Sequence, residues 1–243
     1  MKDPVRHGHG RKILVVDAGG SHIKLMHSGS TERIKFSSGP QFTPRQLMAG
    51  IRKYAGAWDW DAVTLGLPTP IVCDRPAREP TNLGRGWTKF DFAAAFDKPC
   101  KLINDAAMQA LGSYDGGRML FLGLGTGLGS AMVLDHVVVP LELGELSYTQ
   151  QRTFEDMLGR EGRKRLGQAK WEDALDRVVT ILRNALVTDS IVIGGGNARH
   201  VEHLPKGTRL GDNRNAFLGG LRLWGLGWNL ANSKAQAPAL VIC

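Results

Sequence analysis

The sequence predicts an α/β protein of two α/β domains around a central cleft. Three features point there: short β-branched runs alternate with helical segments, the runs end in glycine turns, and the whole pattern restarts near Gly117. At 243 residues the chain is long enough for two cores of roughly 100–150 residues each. The expected division is 1–103 for a smaller N-terminal domain and 104–243 for a larger C-terminal one, with a last helix at 214–224 packing back on the first.

Residues 11–18 (RKILVVDA) form the first strand, closed by Gly19 and Gly20, and HIKLMH and ERIKF read as two more strands of a meander. A helix is expected from Thr43 to Ala55. Thr43 suits its cap, Pro44 its first position, and Leu47, Ile51 and Tyr54 fall on one face. DAVTLGLP (61–68) reads as a buried strand, Pro70–Gly86 as a Pro/Arg-rich loop, and KPCKLI as a strand leading into a helix near Asn104. The second round opens with RMLFLGLG, a glycine turn, SAMVLD and VVVPLEL, a second meander. Helices are expected at 151–166 and 171–186, then the strand SIVIG, a glycine turn at 194–196 and a helix over 215–224. The stretch from Gly225 to Cys243 has no clear period beyond PALVI. No sequence repeat links the two rounds; they share only the order of elements.

Hydrophobic residues make up 42% and charged residues 22%, ordinary for a globular protein. No apolar run approaches the roughly 20 residues that span a bilayer, so no membrane partner is expected. The start, MKDPVRHGHGRK, lacks the apolar core of a secretory signal, and Cys73, Cys100 and Cys243 are odd in number and far apart. Both features predict the reducing cytoplasm. A net charge of +8 and a pI near 9.6 predict attraction to some anion, without choosing which. His7 and His9 are read as solvated tail residues rather than metal ligands.

Four segments carry candidate chemistry. In VVDAGGSHIK (15–24), Asp17 ends a strand, and Gly19, Gly20 and Ser21 form a hairpin whose backbone and hydroxyl can approach a phosphate. Asp17 would hold Mg²⁺ through water there, and Lys24 would add positive charge. An ordinary Gly-Gly hairpin with a solvated lysine explains the same residues. LGLGTGLGSAMV (122–133) is a second such turn, with Gly125, Thr126 and Gly127 as phosphate contacts. It is no Walker loop, lacking Lys-Ser/Thr, and no dinucleotide fingerprint, because a strand follows it. In IND (103–105), Asp105 lies where a strand meets a helix, a position suited to a general base, with Asn104 orienting an alcohol. On position alone, Asn104 or Asp105 is as well explained as a helix cap. In IVIGGGNA (191–198), Gly195, Gly196 and Asn197 open an expected helix whose N-terminus would accept an adenosine or a phosphate.

Taken in order, D-x-G-G-S-x-x-K, N-D-A, G-T-G-x-G-S, E-L-G and G-G-G-N resemble the ROK family of sugar kinases, which have the actin-like ATPase (ribonuclease H-like) fold. The likeness is greatest to the polyphosphate glucokinases of that family: LGTGLGSAMV, LELG, a helix led by Trp171, IVIGGGN and the TNLGRGW loop (81–87). It covers most of residues 12–224. The resemblance implies phosphoryl transfer from polyphosphate, ATP or both to a hexose, the glucose 6-OH foremost, with Mg²⁺ and in a homodimer. It implies Asp105 as general base, Asn82, Asn104 and Glu142 on sugar hydroxyls, and donor phosphates on the turns at 19–21 and 125–127. Between Arg152 and Lys170, six basic residues face three acidic ones, which suits a polyanionic donor or a solvated helix face. Two departures stand out. The zinc-binding cysteine cluster of many ROK members is missing, so no zinc is expected. Glu145 replaces the histidine of the family's E-L-G-H, an acceptor in place of a donor, which leaves open a different acceptor or a sugar-binding regulator without turnover. Family repressors carry a helix-turn-helix domain before the first strand; about ten residues precede it here, and no nucleic acid partner is expected.

Overall fold

The computed structural model describes residues 11–212, 214–227 and 238–242; His7, His9 and Cys243 lie outside them. The first sheet opens with the expected meander, β1 (Ile13–Ala18), β2 (His22–His27) and β3 (Ile34–Ser37). β1 is buried along its whole length, as a strand covered on both faces must be. α1 (Pro44–Ala55) follows, started by Thr43, which exchanges hydrogen bonds with Gln46 in a capping box. Its buried face is Leu47, Met48, Ile51 and Ala55. Tyr54, expected there, is 46% exposed and stacks on Phe36 of β3 at 5.0 Å, an arrangement that covers the strand while the hydroxyl stays wet.

β4 (Ala62–Leu67) pairs parallel with β1. The expected loop at 70–86 contains a small hairpin, β5 (Ile71–Val72) and β6 (Arg75–Pro76). α2 (Phe92–Phe96), capped by Asp91, was beyond the reach of periodicity at five residues. β7 (Cys100–Asn104) joins parallel to β4 and runs straight into α3 (Asp105–Ser113). The order is β3-β2-β1-β4-β7. Because β1, β4 and β7 run parallel, Asp17, Leu67 and Asn104 end at one edge of the sheet.

The second sheet begins with β8 (Met119–Leu124), β9 (Leu128–Leu134) and β10 (Val137–Leu141), again a meander. A hairpin, β11 (Ser147–Thr149) and β12 (Arg152–Thr153), leads to α4 (Phe154–Leu158) and α5 (Arg160–Leu166). One helix was expected over 151–166. Thr153 caps the first turn, so the helix starts late, and Gly159 is extended at ψ 174°, so it breaks. A Cβ on Gly159 would stand 2.8 Å from Thr126 O; glycine lets α5 start directly against the turn after β8. α6 (Gln168–Leu186) is the expected Trp171 helix, with Trp171 Nε1 donating to Leu158 O. β13 (Ser190–Gly194) and β14 (Thr208–Leu210) add to β8 in parallel, α7 (Asn215–Arg222) follows, and β15 (Leu240–Val241) lies on β10.

Read from the meander outwards, β10-β9-β8-β13-β14 repeats β3-β2-β1-β4-β7, a duplicated topology without duplicated sequence. One apolar cluster joins the inner faces of both sheets through α3 and α7, while α1 covers the outer face of the first sheet and α6 that of the second. α7 sits on the first sheet: Thr64 Oγ1 donates to Gly220 O at 2.8 Å, and Trp224 Nε1 to Thr64 Oγ1 at 2.9 Å. Arg222 Nη1 closes the end of α3 by donating to Leu111 O and Tyr114 O at 2.6 and 2.9 Å, which pairs a buried charge with orphan carbonyls. No helix among the described residues is long and apolar enough to cross a membrane.

Candidate active site

The predicted residues gather in three neighbouring groups. In the first, Asn104 caps α3: its Oδ1 accepts from Ala106 N and Ala107 N at 3.0 and 3.1 Å, and its Nδ2 donates to Thr69 O at 3.3 Å. One amide hydrogen of Asn104 is left for another partner. With the cap supplied by its neighbour, Asp105 is the first helical residue, partly accessible, its Oδ1 accepting the amide of Ala106 at 2.8 Å. Burial raises the Asp105 carboxyl to about 7, and the negative charge of Asp17 adds to the rise. Asp17 is buried near the end of β1 and ion-paired with Lys24 Nζ at 2.8 Å, an alignment set by the direct pairing of these two residues across β1 and β2.

The hairpin at 19–21 is tied to the loop at 81–87. A Cβ on Gly20 would stand 2.6 Å from Asn82 Cβ, so glycine here lets Asn82 pack on the turn. Gly19 N is engaged within the turn, donating to His22 O at 3.0 Å, while Ser21 is exposed.

The second group surrounds a cavity of about 320 Å³ lined by Gly125, Gly196, Asn197, Arg160, Arg163, Lys164, Arg199 and His200. Asn197 locks two predicted turns together, its amide donating to Leu124 O and its Nδ2 to Gly125 O at 2.8 and 2.7 Å. Gly125 N donates to Gly127 O, and Thr126 is exposed at the tip. Several amides expected to face phosphate are thus engaged in the turns themselves. The positive potential comes from four guanidinium and ammonium groups, and Arg163 Nε is a buried donor with no partner among the described residues. The helix expected after Gly195 and Gly196 is only a three-residue 3₁₀ turn, Ala198–His200, too short to offer the N-terminal dipole proposed for it. Burial, then Arg163 and Arg199, hold His200 below the usual histidine range, so it adds no charge at neutral pH.

The third group follows β10. Glu142 precedes a 3₁₀ turn and Glu145 ends it, and both are exposed. Glu142 accepts from Arg78 Nη2 at 3.3 Å. Burial raises the Glu142 carboxyl; Arg78 opposes this, while Glu145 and Glu155 reinforce it. Glu155 escaped the sequence reading. Its Oε2 accepts Leu128 N at 3.0 Å and overlies Gly127, where any Cβ would collide with it. The only hint in the sequence was the Thr153-x-x-Asp156 cap, which fixes where α4 starts but not where its Glu155 points. Gly129 closes the circle: a Cβ there would stand 2.7 Å from Ala106 Cβ, so β9 lies directly against the head of α3.

No family model matches the chain. The polyphosphate glucokinase of Mycobacterium tuberculosis is 25% identical over 227 residues, which cover 81% of this chain and 80% of that protein. The inorganic polyphosphate/ATP-glucomannokinase of Arthrobacter sp. strain KM superposes with a TM-score of 0.72 at 22% identity, over 87% of this chain and 97% of that one. A ROK family glucokinase from Streptomyces griseus, solved with glucose and AMPPNP, does so with a TM-score of 0.67 at 15% identity, over 86% and 97%. The chain thus carries the actin-like ATPase fold of the ROK sugar kinases and is similar in sequence, over 81% of its length, to a polyphosphate glucokinase.

Proposed function

We propose that the protein is a sugar kinase that transfers a phosphoryl group from polyphosphate or ATP to a hexose hydroxyl, the 6-OH of glucose, with Asp105 as general base. The observation that carries this is Asp105 itself, a carboxyl near neutrality at the head of α3, packed through Ala106 against the strand that leaves the basic cavity's turn. Asp105 takes the hydroxyl proton as the sugar oxygen attacks phosphorus, and the bond to the rest of the donor breaks with its electrons on the departing phosphate oxygen. Asn82, Asn104, Glu142 and Glu155 bind the sugar hydroxyls, with Glu145 at the rim. The hairpins at 19–21 and 125–127, Lys24, and the cations around Gly196 and Asn197 hold the donor. That cavity is lined by four cations, two glycines, Asn197 and His200, with no aliphatic side chain to sandwich a base, which favours a chain of phosphates over a nucleotide.

Mg²⁺ fits this donor set. It takes one or two carboxylates and otherwise water and phosphate, so the lack of a cluster of three or more ligating side chains among the described residues is no obstacle. Asp17, a hard oxygen ligand in electrostatic contact with Asp105, would hold it through water. Bound there, Mg²⁺ neutralises charge on the donor phosphates.

A coupled assay over a panel of hexoses with each donor tests the assignment. Glucose turnover with polyphosphate is expected, and Asp105→Asn is expected to lower kcat by at least about a hundredfold. Undiminished activity in Asp105→Asn would rule out the assigned base.

A further inference from the structure

Three of the acceptor groups assigned above, Asn82, Asn104 and Glu142, come from separate places in the chain, and their common support is a dipeptide that no motif marks, Arg78-Glu79. Glu79 Oε2 accepts Trp87 N at 2.9 Å, and its Oε1 accepts the Thr88 hydroxyl at 2.8 Å and the Thr88 amide at 3.5 Å. The amide of Gly86, whose φ of 98° only glycine adopts without strain, adds a further bond. Burial pushes the Glu79 carboxyl up, but these donors outweigh it and hold it below the usual range. One carboxylate therefore closes the loop that carries Asn82.

The preceding residue reaches the other groups. Arg78 Nη2 donates to Glu142 Oε2, on the segment that follows the second sheet's meander. Arg78 O accepts from Thr69 Oγ1 at 2.9 Å, and Thr69 O in turn accepts from Asn104 Nδ2. Thr69 is buried, so the path from Arg78 to Asn104 is fixed. Loop, helix cap and far wall meet at two adjacent residues.

We propose that Arg78-Glu79 is the positioning hub of the acceptor site: Glu79 sets the loop bearing Asn82, and Arg78 holds Glu142 directly and Asn104 through Thr69. This rests on the sugar-kinase assignment. Neither residue touches the reacting atoms. Their loss misplaces hydroxyl contacts rather than the base, and a misplacement of about 1 Å can cost about a hundredfold.

The test combines kinetics and amide hydrogen exchange on Glu79→Gln and Arg78→Met. Glu79→Gln is expected to raise the sugar KM by about ten- to a hundredfold, with kcat and donor KM within about threefold, and to speed exchange at Trp87 and Thr88. Arg78→Met, which breaks an exposed pair, is expected to raise sugar KM roughly two- to fivefold without changing the melting temperature. If Glu79→Gln does not fold, Thr88→Val, which deletes one bond of the set, reads the same KM shift on a smaller scale. A sugar KM unchanged while stability falls would make Glu79 merely structural and overturn the proposal. Unchanged exchange at Trp87 and Thr88 overturns it whatever the activity. A wild-type protein that phosphorylates no hexose, alongside accelerated exchange in Glu79→Gln, refutes the kinase assignment and with it the acceptor role, but leaves the loop clamp standing.

Discussion

Asp105 has two uses open to it at the head of a helix, cap or base, and because Asn104 supplies the cap, the carboxyl is left for the proposed role of base. What remains at Asp105 is a carboxyl that burial and Asp17 raise to about 7 against the opposing pull of the Ala106 amide and its own. A base must be ionised, so kcat is expected to rise with pH through about 7 and level off above it, in a pH profile taken at saturating sugar and donor. The same shift sets a stability effect of definite sign. Because the folded carboxyl binds its proton more tightly than the unfolded one, whose ordinary value is 3.8, stability is lost as pH rises from about 4 to about 7, and the full cost is present above that. Asp105→Asn removes the charge. It is expected to be more stable than the wild type at pH 8 by roughly 1–2 kcal/mol, the full shift being discounted for the residue's partial accessibility, and no more stable at pH 4. Urea melts at the two pH values check this. Equal stability at both would mean that the carboxyl is not held near neutrality.

At the scale of elements, the glycine turns work by close approach. Gly20 admits Asn82, Gly127 admits Glu155, and Gly159 admits the start of α5, so each turn is a seat for another segment rather than a free phosphate nest. The amides that would have faced phosphate are partly engaged, and the proposed donor site would depend instead on the cations that α5 and the Ala198–His200 turn bring to the cavity. Arg163 has a buried Nε with no partner among the described residues, a cost of about 1–3 kcal/mol that a bound anion relieves. Arg163→Met is therefore expected to keep or slightly raise stability while raising polyphosphate KM about tenfold and flattening its salt dependence; a KM and salt slope equal to wild type would remove Arg163 from the donor site. The sequence made legible what is local: both meanders, the Thr43 cap, Asp17 at a strand end with Lys24 in the same region, and Asp105 where β7 meets α3. It hid what depends on assembly. Arg160, Arg163, Lys164 and Arg165 read together as part of a basic helix, and only the folded α5 shows that the first three line the cavity while Arg165 turns away to donate to Asp156 O. Tyr54 fitted the helical period yet lies on the edge of the buried face, because period alone does not measure how wide that face is.

Across the whole molecule, two copies of one topology share a core, and α3 and α7 are the elements that cross it. Their crossing is so close that a Cβ on Gly112 would collide with Asn215 O, and one on Gly219 with Met108 O. α7 rests on β1, whose end carries Asp17, and α3 carries Asp105 at its head, so the crossing of these helices backs the sheet edge that brings the two carboxylates together. A side chain at the crossing must push the helices apart, since backbone on either side has nowhere else to go. Gly219→Ala is therefore expected to lower stability by at least about 2 kcal/mol, a fall of roughly 5 °C or more in Tm for a chain of this size, and to reduce kcat in the fraction that stays folded. Gly196→Ala is the matched control for stability, because its Cβ meets nothing within 4 Å, and its melting temperature is expected to stay near wild type. A loss of stability in Gly219→Ala without any change in kcat would mean that Asp105 keeps its place when the helices separate, and that the spacing of Asp17 and Asp105 is held by the first sheet alone.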